Sequence, residues 1–138
     1  MKTIGEQLVL HEGLELRPYR CTANKLTIGV GRNLDDKGIS KKEALFLLSE
    51  DVASVKRQLT ACPWYGDLDP VRQKVVVDMV FNLGFLGFLS FRKTILALKQ
   101  GDYAEASREM LDSRWAEQVG RRAQRLAEMM FSGEDYVG

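Results

Sequence analysis

The sequence predicts an α+β protein, a mostly helical bundle with a small N-terminal β-hairpin lobe. Three observations carry this. Apolar residues recur at helical spacing along most of the chain. One short stretch near the N-terminus roughly alternates apolar and polar residues between turn-forming clusters. No repeat, low-complexity segment or Gly/Ser/Pro-rich linker separates the parts. A length of 138 residues favours one domain. The expected layout is a small β lobe at about residues 14–35, a helical lobe of residues 1–13 and 40–138, and a cleft between them.

The first helix is expected after Thr3, whose hydroxyl can cap free amides; Ile4, Leu8 and Val9 follow at helical spacing and Gly13 stops it near Glu12. Residues 14–19 and 26–30 form a hairpin around Thr22, Ala23, Asn24 and Lys25, with a short third strand at residues 32–34. Asp35, Asp36, Lys37 and Gly38 make a polar turn. Ser40 and Glu43 then form a capping box opening a long amphipathic helix through Leu47, Leu48, Val52, Val55 and Leu59, of a length suited to linking two lobes. Asp69 and Pro70 start a helix whose Val71, Val75, Val76, Met79, Val80 and Leu83 make it apolar nearly all round, and therefore central and buried. Gly84 and Gly87 break the pattern, residues 91–99 resume it, and Asp102 to Glu105 resembles a second capping box. Helices at residues 103–111, around Trp115, and at residues 121–131 complete the chain.

Composition excludes several kinds of function. Twenty Lys+Arg against nineteen Asp+Glu give a net charge of +1, so no net field draws the chain to nucleic acid or an anionic membrane. Two cysteines, Cys21 and Cys62, and one histidine, His11, cannot build a structural zinc site, and neither metal nor cofactor is expected. The apolar stretch at residues 75–91 is interrupted by Asp78, Asn82, Gly84, Gly87 and Ser90, which rules out stable membrane insertion. The first residues lack the apolar run of a signal peptide, so accumulation in a reducing cytoplasm is expected, where the two thiols stay free.

Glu12 ends a helix just before a chain reversal, which lets its carboxyl group face a cleft instead of a solvated helix side. Position alone does not separate this from an ordinary surface charge. His11 has no Ser-centred elbow or orienting carboxylate beside it and reads as packing or solvent. Ile28-Gly29-Val30-Gly31 lacks the third glycine and the strand-to-helix context of a phosphate loop, so no nucleotide site is expected. Arg121, Arg122 and Arg125 share one side of a helix, either as a solvated basic face or as partners of phosphate or a buried carboxylate.

His11-Glu12-Gly13-Leu14 through Tyr19, followed by Thr27-Ile28-Gly29-Val30-Gly31, resembles the opening of the phage-type lysozymes. Met79 to Gly84, Phe91 with Thr94, Ser113-Arg114-Trp115 and Arg122-Ala123-Gln124-Arg125 resemble that family's later signatures in the same order, so the resemblance covers nearly the whole chain. It implies a lysozyme-like fold and an endolysin that hydrolyses the β-1,4 bond between N-acetylmuramic acid and N-acetylglucosamine in bacterial peptidoglycan. By the same resemblance Glu12 matches the general acid and Thr27 a threonine that helps hold the attacking water. Arg122 matches an arginine that pairs with the catalytic glutamate. Phe81, Asn33 and Thr94 align with saccharide-contacting positions.

Glycoside hydrolysis needs an acid on one side of the bond and a water-activating or charge-stabilising group on the other, about 6.5–9.5 Å apart in an inverting enzyme. An inverting, water-mediated displacement is expected. Two departures bear on it. Cys21 stands where the family usually has aspartate, and Arg32 where many members carry histidine. Cys21 is expected to take the aspartate's place, the alternative being a small semi-apolar residue of the hairpin. The short connection at residues 34–40 implies a trimmed β lobe. The leading expectation is an active, monomeric endolysin held in the host bacterial cytoplasm until released to the wall with a holin's help. The alternatives are a catalytically impaired wall-binding protein, and a helical interaction protein whose basic C-terminal helix takes an acidic partner.

Overall fold

The computed structural model describes residues 1–137 and has an α+β, lysozyme-like fold. Contacts divide the chain into two compact units, Met1–Leu47 and Leu48–Gly138, the division falling inside the longest helix. The N-terminal helix thus belongs to the same unit as the sheet, where the sequence reading grouped residues 1–13 with the helical lobe.

In the first unit, α1 (Ile4–Glu12) is capped by the Thr3 hydroxyl, which accepts from the Glu6 N–H at 3.1 Å, and is closed by Gly13. Strands β1 (Glu15–Arg20), β2 (Leu26–Gly29) and β3 (Arg32–Asn33) form an antiparallel sheet in the order β1-β2-β3. Glu15 faces Gly29, Tyr19 faces Thr27, and Thr27 faces Asn33. The register slips between Glu15 and Tyr19, where Pro18 has no N–H to give and β1 is an edge strand. Gly29 and Gly31 both have positive φ, +71° and +66°, so the two glycines serve the β2–β3 turn.

The expected polar turn after β3 is a one-turn helix, α2 (Leu34–Lys37). Asn33 caps it: Oδ1 accepts from the Asp36 N–H and Nδ2 donates to the Asp36 carboxylate, both at 3.0 Å. Asp35 accepts from the Leu26 N–H at 2.7 Å, tying α2 to the start of β2. The capping box of α3 (Lys41–Leu59) is complete, with the Ser40 N–H donating to Glu43 at 2.9 Å and the Glu43 N–H to the Ser40 hydroxyl at 3.1 Å. Of its expected apolar stripe only Val55 and Leu59 are buried; Leu47 and Leu48 are exposed.

The second unit adds α4 (Pro63–Gly66), α5 (Pro70–Leu83), α6 (Phe85–Leu89), α7 (Arg92–Lys99), α8 (Tyr103–Leu111), α9 (Arg114–Val119) and α10 (Arg121–Ser132). Helix α5 starts at the expected Asp69 cap and Pro70, and Val75, Val76, Met79 and Val80 form the centre of the core. It is not apolar all round, because Asp78 is half-buried and Phe81 is 45% exposed. Gly84 breaks the pattern as expected, closing α5 with a positive φ, whereas Gly87 lies inside the short helix α6 that follows. At α8 the box is half formed, since Asp102 accepts from the Glu105 N–H while the Glu105 carboxylate turns to Arg108. Phe91 meets Trp115 edge-on at 5.9 Å, and the Trp115 indole N–H donates to Asn82 at 2.8 Å.

Arg72 joins three elements of this unit. Its guanidinium stacks over Tyr103 at 3.8 Å, donates to the carbonyls of Met130 and Phe131 at the end of α10, and pairs with Asp69 at 3.0 Å. A planar five-donor fork suits such a junction where an ammonium would not.

Candidate active site

In the first unit, the helix that begins at Thr3 delivers Glu12 to the β2–β3 turn. A Cβ built on Gly31 would lie 2.8 Å from Glu12 Oε2, so the carboxylate occupies the space that any side chain at 31 would need. The positive φ of Gly31 and this close approach both demand glycine.

Cys21 and Thr27 share the hairpin. Thr27 on β2 is 3% exposed, and its hydroxyl donates to the Lys25 carbonyl at 2.8 Å. A hydroxyl has one proton, so towards any other neighbour Thr27 offers only lone pairs. The Cys21 sulfur is met by the backbone N–H of Lys25 and, less strongly, of Ala23; these outweigh desolvation and hold the thiol below its ordinary pKa. Cys62 is the opposite case, a buried free thiol that desolvation pushes up.

Arg32, in the position many family members give to histidine, forms a two-pronged ion pair with Glu43. Nη1 donates to Oε1 at 2.9 Å and Nη2 to Oε2 at 2.7 Å, with a further bond to the Gly38 carbonyl at 3.2 Å. Arg32 first, then the Ser40 N–H and hydroxyl, hold the Glu43 carboxyl down to about 2. Arg32 therefore braces β3 against the start of α3 with no histidine involved.

In the second unit, Phe81 and Arg122 line one groove together with Tyr65, Gln73, Lys74 and Asp78. Arg122 is bound by Asp78, with Nε donating to Oδ1 at 2.8 Å and Nη2 lying 2.7 Å from the same oxygen. Thr94, 2% exposed, belongs to a different groove with Phe91, Glu109, Ser113 and Trp115. Two expected sugar-contacting residues of this unit are thus kept apart, and Asn33 in the first unit is engaged as a helix cap. Among the described residues no cluster of metal-ligating side chains occurs.

Sequence reasoning missed Gly31 and Asp78. Gly31 figures in a discarded phosphate loop and in the segment that carries the family resemblance, and neither shows its contact with Glu12. The second was legible as a lone carboxylate inside the apolar run Val75 to Phe81, a local inconsistency of the kind that marks functional sites.

A profile of the family described as phage lysozyme matches residues 9–129. A protein of Dictyostelium discoideum named probable T4-type lysozyme 1 is 28% identical over 96% of this chain and 96% of its own length. An endolysin of Acyrthosiphon pisum secondary endosymbiont phage 1 is 32% identical over 81% of the chain and 77% of that protein. The pre-baseplate central spike protein Gp5 of Enterobacteria phage T4 is 24% identical over 95% of the chain, which corresponds to 28% of that much longer protein. The chain belongs to the phage lysozyme family and is a glycoside hydrolase of the muramidase type.

Proposed function

We propose that the protein is an endolysin that cuts the β-1,4 bond between N-acetylmuramic acid and N-acetylglucosamine in bacterial peptidoglycan, with Glu12 as the general acid. The observation that carries the assignment of the acid is the carboxylate of Glu12 seated against Gly31 at the end of α1, a carboxyl group held at a chain reversal where a glycan strand can reach it. Glu12 gives its proton to the bridging oxygen as the glycosidic bond breaks, and the N-acetylglucosamine hydroxyl leaves. A water attacks the anomeric carbon from the opposite face, which inverts its configuration and releases a proton to solvent.

Cys21 takes the aspartate's place on the water side, as a thiolate that orients the water and offsets the positive charge developing on the sugar ring; the Thr27 hydroxyl, its proton given to the Lys25 carbonyl, helps hold that water by accepting from it. The backbone N–H groups directed at the Cys21 sulfur favour this active reading over a wall-binding protein that has lost turnover. Phe81 offers an exposed aromatic face to a sugar ring, and Arg122 has a supporting role.

The protein acts as a monomer on peptidoglycan, waits in the host cytoplasm, and reaches the wall when a separate permeabilising partner such as a holin opens the inner membrane. No helix among the described residues is long and apolar enough to cross a membrane. The test is product analysis. Purified walls digested by the protein should release the α-anomer first, read before any reduction, and after borohydride reduction should yield muramitol at the new ends. New ends carrying reduced N-acetylglucosamine would contradict the bond assignment.

A further inference from the structure

We propose that Asp78 is the positioning residue of Arg122, fixing the orientation in which its guanidinium is presented to the substrate groove of the second unit. This inference rests on the muramidase reading above, in which Arg122 supports the reaction.

Each partner is out of place by local rules. Asp78 interrupts the apolar run of α5 from Val75 to Phe81, whose Val75, Val76, Met79 and Val80 are in the core. Arg122 is the second residue of α10, where the helix dipole disfavours a cation, no acidic residue lies in the first turn and the Gly120 cap has no side chain to give. Together they are consistent: the carboxylate neutralises the misplaced cation, and the cation satisfies the misplaced carboxylate.

Their backbones are rigidly set. Val75, Val76, Met79 and Val80 hold α5, while Ala123, Leu126, Ala127 and Met130 hold α10 against it. Both donors that Asp78 engages, Nε and Nη2, converge on one oxygen, Oδ1. Among the described residues Nη1 makes no hydrogen bond, so one edge of the guanidinium is anchored and Nη1 is left without a partner. Phe81, one turn beyond Asp78, lines the same groove. An anchored cation therefore stands beside an exposed aromatic ring.

Both side chains are 41% exposed, and exposed pairs contribute little to fold stability. What Asp78 supplies is the removal of rotamer freedom from a long side chain. Its loss should thus appear in activity, and only through Arg122.

The experiment is a double-mutant cycle on the full chain, read as kcat and KM on soluble peptidoglycan fragments together with Tm. Asp78→Asn should lower kcat/KM about three- to tenfold, with Tm moving by less than about 3 °C. Placed on Arg122→Ala, the same substitution should change kcat/KM by less than about 1.5-fold, and Asp78→Glu alone should recover part of the loss. Multiplying penalties, or Asp78→Asn cutting at the parent rate, would overturn the inference while the muramidase reading stands. A parent protein that does not cut the fragments would overturn that reading, and the inference with it.

Discussion

The Glu12 carboxylate and the Gly31 backbone touch so closely that a Cβ on Gly31 would stand 2.8 Å from Oε2 and 3.2 Å from the carboxyl carbon. Helix α1 and the β2–β3 turn thus set the position of the acid between them, and glycine at 31 is what permits it. Gly31→Ala should push the carboxylate aside and strain a backbone with φ of +66°. The expected outcome is a fall of about ten- to a hundredfold in wall-clearing rate and a loss of about 1–3 kcal/mol of stability. Clearing at the parent rate would show that the acid does not depend on this contact.

Cys21 is the departure from the family pattern whose consequences are sharpest. The N–H groups of Lys25 and Ala23 lower its pKa, so thiolate forms below the ordinary cysteine range and the alkylation rate of Cys21 should exceed that of a free cysteine at the same pH. Cys21→Asp should keep or raise the rate, Cys21→Ser should lose much of it, and alkylation should inhibit the parent but spare Cys21→Asp. Full activity in Cys21→Ala would remove the thiol from the mechanism.

The pair of Arg32 and Glu43 makes the first unit acid-sensitive. The folded carboxyl titrates at about 2, against 4.5 for a free one. Because the folded value is the lower, the unfolded chain takes up the proton first. The contribution of the pair is complete above about 4.5 and is lost as pH falls towards 2. Urea unfolding measured between these limits should show a shallower loss of stability in Glu43→Gln than in the parent. Parallel curves for the two proteins would mean the pair does not stabilise the fold.

Met79 is 1% exposed at the centre of α5, among Val75, Val76 and Val80. Met79→Ala should cost about 2–5 kcal/mol of stability by thermal melting. A change below about 0.5 kcal/mol, typical of surface positions, would be incompatible with this core.

The parts of the fold that could be read from the sequence are those whose signals are local. Thr3, Ser40 with Glu43, and Asp69 with Pro70 each announce a helix within four residues, and all three helices begin where those caps stand. Helices α2 and α6 were not legible. One turn is too short to show periodicity, α2 depends on an Asn33 cap that reads equally well as a turn, and α6 follows Gly84 without a capping side chain. In the site, Glu12, Thr27 and Arg122 were marked by resemblance and Glu12 also by its place at a chain reversal. The contacts that give them a setting join distant parts of the chain: Glu12 to Gly31, and Arg122 to Asp78 across 44 residues. Spacing rules describe neighbours on one helix or strand, and these pairs exist only once α1 has met a turn and α10 has packed on α5.

The central claim is that Glu12 delivers the proton that breaks the glycosidic bond, and replacing it with the isosteric amide tests this most directly. Glu12→Gln keeps the shape but has no proton of the required acidity. Initial rates of peptidoglycan clearance, measured beside thermal melts and wall-pelleting, should fall by ~10²–10⁴-fold while folding and wall binding persist. A folded Glu12→Gln protein that clears walls as fast as the parent would contradict the account.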